Sequence, residues 1–258
     1  MAADPLKLVE EVRGIAGDAA TARRILPLLD LTSLRGDERE AGIRELCRRA
    51  VTHGVAAVCI FPRHLPVARE ALAGSEVRLA TVANFPDGGE DLVAVAREVR
   101  EAVAAGAQEV DVVAPLEAAR AGDVELAGEL VTLCREAAGG GVTLKLILET
   151  GLLAEPDLVT AVARAAVMAG VDFLKTSTGK RQPGATLEAA ALLLDVIREA
   201  EGGVGLKLAG GIRTLGDAAP YLALVDRVMG EEWATRSHLR FGASRLLDDL
   251  LERLGERA

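Results

Sequence analysis

Leu144-Lys145-Leu146-Ile147-Leu148-Glu149, then Pro156 to Ala169, then Gly170, then Phe173-Leu174-Lys175: this stretch reads as strand, helix, strand. The first run is short, apolar and bounded by polar residues, as a buried strand should be. Pro156–Ala169 repeats its apolar positions every three to four residues. Pro156 suits a first helical turn, Asp157 is a plausible start, and Gly170 stands where a left-handed cap would close the helix. Two strands joined by such a crossover run parallel.

Working outward, the same unit recurs. Further apolar runs lie at Ile25–Leu31, Val55–Ile60, Val77–Val82, Val110–Val113, Gly205–Leu208 and, weakly, Leu239–Gly242. Helical patterns fill Asp37–His53, Leu65–Ala73, Gly89–Ala105, Leu126–Gly139, Leu187–Ala200, Gly216–Ala223 and Ser244–Leu254. Asp37 is a second plausible helix start, and Gly54, Gly106 and Gly202 are further stops. Eight strand–helix units in 258 residues predict an α/β protein, a (β/α)8 barrel in one domain over residues 25–258. A doubly wound open sheet is the alternative. Residues 1–24 read as an amphipathic helical extension that could cap the bottom of the barrel.

Composition narrows the function. Half of the chain is apolar, 27% is charged and mean hydropathy is +0.24, enough to bury a large core. A net charge of −9 argues against a nucleic-acid partner. No apolar run is long enough to span a membrane, and the N-terminus lacks the basic start and apolar stretch of a signal peptide. The expected compartment is the cytoplasm. Cys47, Cys59 and Cys134 are widely spaced, and His53, His64 and His238 show no metal-ligand spacing. Reduced thiols and no metal are expected.

The basic residues are unevenly divided. Of 30, only Lys7, Lys145, Lys175, Lys180 and Lys207 are lysines; the rest are arginines. Arginine solvates and pairs with acids, but its guanidinium does not deprotonate to form a Schiff base. Lysines retained in apolar runs therefore mark places where an amine is useful, against the alternative of composition bias. In a barrel, chemistry sits where strands end. Those ends carry Asp30 and Thr32, Cys59, Asn84, Asp111, Glu149, Lys175, Lys207 and Ser244. Side-chain alternation puts Lys145 and Glu149 on one face and Lys175 on the face of Phe173, while Asp111 is flanked by branched apolar residues and Lys207 is bracketed by leucines. If these faces point inward, two lysines and two carboxylates converge in a partly desolvated volume. The competing reading is a salt-bridge network that only fills the barrel, and Lys145, deeper in its strand, fits that role. Two glycine-containing loops follow, Thr176-Ser177-Thr178-Gly179-Lys180 and Ala209-Gly210-Gly211-Ile212-Arg213-Thr214. With Gly242-Ala243-Ser244, they are placed to cradle a phosphate.

The segment Phe173-Leu174-Lys175-Thr176-Ser177-Thr178-Gly179-Lys180 resembles the Schiff-base lysine motif of deoxyribose-phosphate aldolases. Seven other segments resemble that family in order: Leu29-Asp30-Leu31-Thr32, Val58-Cys59-Ile60-Phe61-Pro62-Arg63, Thr81-Val82-Ala83-Asn84-Phe85-Pro86, Glu109-Val110-Asp111-Val112-Val113, Leu144 to Gly151, Lys207 to Arg213 and Arg240-Phe241-Gly242-Ala243-Ser244. The resemblance implies a class I aldolase in a TIM barrel, without metal or cofactor. It would cleave 2-deoxy-D-ribose 5-phosphate reversibly to D-glyceraldehyde 3-phosphate and acetaldehyde, in deoxyribonucleotide catabolism. It implies Lys175 as nucleophile, with Lys207 and Asp111 as the other catalytic residues. Asp30, Thr32, Cys59, Thr178, Gly179, Lys180, Gly210, Gly211, Arg213 and Ser244 are the implied substrate contacts, and a homodimer is the implied assembly. Arg245 stands where many relatives carry a second serine. The tail, Leu254 to Ala258, lacks the tyrosine that some relatives bring to the site; the one tyrosine is Tyr221. Rival readings are another phosphate-binding barrel enzyme and a catalytically silent sugar-phosphate sensor.

Overall fold

The computed structural model describes residues 5–201 and 203–256. Its centre is a closed barrel of eight parallel strands in sequence order: β1 (Leu29–Ser33), β2 (Ala57–Ile60), β3 (Arg78–Ala83), β4 (Glu109–Val113), β5 (Thr143–Ile147), β6 (Phe173–Lys175), β7 (Gly205–Ala209) and β8 (Leu239–Ala243). β1 closes the barrel against β8, with Asp30 beside Gly242. The fold is the expected (β/α)8 barrel, not the open sheet. Every strand lies within a residue or two of its expected run, except the first. Ile25–Leu31 was expected to be strand, but Ala19–Ile25 is helix (α2) and Leu26–Leu28 a 3-10 turn, so β1 starts at Leu29. A short apolar run fits either element by periodicity alone. Here Asp18 decides by capping α2 through the Thr21 N–H, at 2.9 Å.

The remaining helices are α1 (Pro5–Val12), α3 (Glu40–His53), α4 (Leu65–Ala71), α5 (Leu92–Ala104), α6 (Leu116–Arg120), α7 (Glu125–Ala138), α8 (Thr150–Leu153), α9 (Pro156–Met168), α10 (Leu187–Glu199), α11 (Leu215–Met229) and α12 (Leu246–Leu254). Helix starts shift where side chains bond elsewhere. Asp37 does not cap α3; it pairs with Arg35 at 3.1 Å, and α3 begins at Glu40. Asp157 lies in the first turn of α9, behind Pro156, rather than at its cap. Asp91 caps α5 through the Ala94 N–H. Thr214 and Asp217 form a capping box that starts α11, which runs on past Ala223 to Met229. The last helix begins at Leu246, not Ser244. Gly54, Gly106 and Gly170 follow their helices at positive φ, as expected, while Gly202 lies outside the described residues. The N-terminal extension forms two helices, α1 and α2, where one stretch was expected. They pack against α10, α11 and α12 of the outer ring. Arg24 fixes α2 to α11 with a bidentate pair to Asp226, both contacts at 2.7 Å.

Two apolar volumes result. The larger lies between barrel and helices and takes the outward residues of the strands with the inward faces of the ring. The smaller joins Ala57 and Cys59 of β2 to Ala80 and Val82 of β3 under Leu34. The other strands fill the interior differently, with charge. Space there is tight. A Cβ on Gly205 would stand 2.4 Å from the Phe173 ring of the neighbouring strand. Gly205→Ala should therefore destabilise the fold by about 1–3 kcal/mol through overpacking. Urea unfolding at constant slope measures this, and Phe173→Leu in the same chain should recover part of the loss.

Candidate active site

Seven buried charged side chains meet inside the barrel. Arg240 of β8 contacts Asp30 of β1 at 2.6 Å and Glu109 of β4 at 3.0 Å. Lys145 of β5 reaches Glu109 at 2.6 Å and Asp111 at 2.9 Å. Lys207 of β7 lies 2.7 Å from Asp111 Oδ2 and 2.5 Å from Asp30 Oδ2, the latter an electrostatic contact rather than a directed hydrogen bond. These six groups form a closed ring of alternating sign: Arg240, Asp30, Lys207, Asp111, Lys145, Glu109. Lys175 of β6 stands outside the ring and donates to the same Asp111 Oδ2 at 2.8 Å.

The register explains the meeting. Lys175 pairs in register with Lys207, Lys207 with Arg240, and Asp111 with Lys145, so each set points to one side of the sheet. The expectation of two lysines and two carboxylates converging is corrected to three lysines, one arginine and three carboxylates. Glu149 is not among them. It lies at the end of β5, fully buried, and accepts from the Thr178 N–H at 3.2 Å and the Thr178 hydroxyl at 2.5 Å. Glu109 and Arg240 were not singled out as site residues. Their signal was present, because Glu109 shares strand parity with Asp111, and Arg240 with Gly242.

Burial disfavours charge on all seven groups, so neighbours decide which keep it. Burial opposes the charge on Lys207, but Asp111 and Asp30 outweigh it and raise its pKa above the ordinary lysine value. Lys145 is likewise raised, by Asp111 and Glu109. Lys175 goes the other way: burial lowers its pKa, and its one carboxylate is shared with the Lys207 ammonium. All three carboxyls are held below their usual range against the penalty of burial. Lys207 leads for Asp30, and Lys145 leads for Glu109 and Asp111. The ring balances three cations against three anions, and Lys175 is the surplus amine.

Above this network opens a cavity of about 810 Å3. Lys175 lines it and is the one network member to do so among the described residues. Asp30, Asp111 and Lys207 are fully or almost fully buried and do not line it, nor does Cys59, whose thiol pKa burial pushes up. Thr32, Thr178, Gly179, Lys180, Gly210, Gly211, Arg213 and Ser244 all line it, as does Arg245. Gly210 and Gly211 turn through φ of 89° and 91°, a shape open to glycine that can aim successive N–H groups at an anion. Ser244 lies ahead of α12 rather than at its cap, which is Arg245. Lys180 donates its ammonium to the Leu34 carbonyl, so it ties the loop after β6 to the loop after β1. Glu38 folds that second loop: its carboxylate accepts from the N–H groups of Arg35 and Gly36 and from the Ser33 hydroxyl. Burial opposes its charge, yet its own N–H and these donors hold its pKa down at about 2. Asn84, at the end of β3, bonds Gly89 and Val113 backbone and closes a loop.

Among the described residues no group of three or more His, Cys, Asp or Glu is arranged to hold a metal ion, and no helix is long and apolar enough to cross a membrane.

The chain matches the family model for DeoC/LacD family aldolases over residues 24–250. Among solved structures it is similar to a proposed deoxyribose-phosphate aldolase from Coccidioides immitis, with 26% identity, TM-score 0.80, and 95% of each chain covered. A second, from Toxoplasma gondii ME49, is 23% identical with TM-score 0.84, covering 92% of this chain and 95% of that one. The tetrameric deoxyribose phosphate aldolase of Aeropyrum pernix is 24% identical with TM-score 0.71, covering 96% and 95%. At these identities the last two speak for the fold.

The ring makes a pH prediction. Glu109 has a depressed native pKa, so its stabilising share is complete above its unfolded value of about 4 and is lost as pH falls through the native one. Glu109→Gln should be less stable than the parent at pH 7, by about 3–5 kcal/mol if two buried cations lose a partner. Denaturant titrations should show the gap narrowing as pH falls below about 4.

Proposed function

The chain belongs to the DeoC/LacD aldolase family, and from that premise we propose that it is a Schiff-base aldolase acting on 2-deoxy-D-ribose 5-phosphate, with Lys175 as the nucleophile. One observation carries the reading: the surplus amine of a charge-balanced ring is also the network member that faces the cavity. An amine attacks a carbonyl only when unprotonated, and an ordinary lysine, with a pKa of about 10.4, is nearly all ammonium at neutral pH. Desolvation and the neighbouring Lys207 ammonium favour the free amine at Lys175.

The steps follow from that state. The Lys175 amine adds to C1 of the open-chain sugar, and loss of water gives an iminium. The C3 hydroxyl gives up its proton, the C2–C3 bond breaks, and its electron pair flows into the iminium to leave an enamine. D-Glyceraldehyde 3-phosphate departs. Protonation of the enamine at C2 and hydrolysis release acetaldehyde and return the amine. The Asp111 carboxylate, shared by Lys175 and Lys207, is placed to pass protons between the two nitrogens. The phosphate would sit against Gly210, Gly211, Arg213 and Ser244 at the cavity wall. A chain of net charge −9 gains its hold on an anion from such local donors.

Incubation with acetaldehyde and borohydride, followed by mass mapping, should add a reduced two-carbon adduct at Lys175. Lys175→Met should abolish both adduct and turnover while the fold keeps its stability, because the ring stays balanced. Lys175→Arg should be the less stable variant, since it fixes a fourth cation against three anions. An adduct on Lys207 instead would reassign the nucleophile, and no adduct would favour a silent sugar-phosphate sensor.

Ser244→Asp tests the phosphate. A carboxylate there should lower kcat/KM for deoxyribose 5-phosphate at least tenfold relative to unphosphorylated deoxyribose, an estimate of roughly 1.4 kcal/mol of anion repulsion. An unmoved ratio would place the phosphate elsewhere.

A further inference from the structure

Arg240 lies in the barrel interior, off the cavity wall, and makes no contact with Lys175, yet it is among the most tightly held side chains in the molecule. The residue is 5% exposed, and its guanidinium contacts Asp30 and Glu109 and stacks over the Phe173 ring at 5.6 Å. A guanidinium cannot release its proton. Every lysine in the network can answer a change in its surroundings by becoming neutral; Arg240 cannot. It is the fixed charge against which the others settle.

We propose that Arg240 and Glu109 are positioning residues that set the protonation of Lys175 from the far side of the ring. The inference rests on the Schiff-base reading for its use in catalysis, but the ring's geometry is independent of it. With Arg240 present, Lys145, Lys207 and Arg240 satisfy Asp30, Glu109 and Asp111, and a proton on Lys175 would be a fourth positive charge in a dry interior. Without Arg240 the ring carries one uncompensated carboxylate, and a proton on Lys175 restores the balance. Asp111 is the conduit, because its Oδ1 is held by Lys145 and its Oδ2 is shared by Lys207 and Lys175.

All charged or titratable groups near Lys175 enter this count. Asp111 of β4 contacts it, and Lys207 of β7 and Cys59 of β2 act on it directly; Asp30 of β1, Glu109 of β4, Lys145 of β5 and Arg240 of β8 complete the ring behind them. Arg78 of β3 stands 3.8 Å from Glu109, but its side chain is 41% exposed and screened by solvent. It is a weak substitute for Arg240.

The readout is the reactivity of Lys175 toward trace acetic anhydride as a function of pH, mapped by mass spectrometry on the full chain. It follows the free amine whether or not the protein is an aldolase. Arg240→Met should move the midpoint for Lys175 up by about one unit, which lowers reactivity at pH 7 roughly tenfold. Arg240→Lys, which keeps the charge, should leave the midpoint near that of the parent. Arg240→Met combined with Glu109→Gln removes one charge of each sign and should bring the midpoint back, although it removes more contacts than either change alone. A purely structural role predicts the reverse: the double variant is the worse one, and the midpoint does not move. If Arg240→Met fails to fold, the midpoint in Glu109→Gln should fall below that of the parent, and the double variant should return to the parent value; an unmoved midpoint in Glu109→Gln is the outcome of a purely structural role and overturns the proposal. An upward shift in Glu109→Gln, or a double variant that stays shifted, overturns the proposal. Acetaldehyde trapping on the same proteins separates the two readings. No adduct on the parent chain sinks the Schiff-base assignment alone, whereas an adduct with unmoved midpoints sinks this inference alone.

Discussion

Asp111 Oδ2 accepts from two lysines at once, at 2.8 Å from Lys175 and 2.7 Å from Lys207. A single carboxylate oxygen in a dry barrel cannot compensate two ammonium ions fully. One of the two amines must be poorer in charge, and the remaining contacts choose which. Lys207 has a second carboxylate in Asp30; Lys175 has none. The asymmetry between two otherwise similar strand-end lysines reduces to that one extra contact.

The rest of the interior serves this choice. Buried ion pairs seldom add much net stability compared with apolar packing, because desolvation offsets most of the Coulomb gain. Seven charged side chains inside one barrel therefore suggest that charge is retained for what it does to a neighbour. β2 and β3 line the interior with apolar side chains instead, Ala57, Cys59, Ala80 and Val82. Gly205 makes room for Phe173, whose ring in turn lies under Lys145 and Arg240. Around the mouth, Glu38 and Glu149 play a parallel part by folding two loops whose backbone then lines the cavity.

Much of this was legible in the sequence. Strand and helix alternation gave the barrel because each unit buries a two-faced strand under a one-faced helix, and that requirement writes a periodic pattern. Lys175 was legible because a lysine amid apolar residues at a strand end is costly unless used. Residues 25–31 misled because Ile25 to Leu31 is apolar by either period, and only the Asp18 cap tips it to helix. Arg240 went unread for a statistical reason with a physical root. In a chain that places arginine on nearly every exposed face, one buried arginine looks like the rest, and only the partner strands, distant in sequence, reveal it. Glu109 was hidden at the deep end of its strand, where no loop follows to suggest chemistry.

Lys175 is the amine of the network that gives up its proton most easily. With five lysines in the chain, 15N labelling of lysine side chains gives a spectrum simple enough to assign by single substitutions. A pH titration of the side-chain nitrogens should show Lys175 losing its proton below the ordinary lysine value of about 10.4, while Lys145 and Lys207 stay charged above it. A Lys175 that titrates with surface Lys7, or a Lys207 that loses its proton first, would contradict the account.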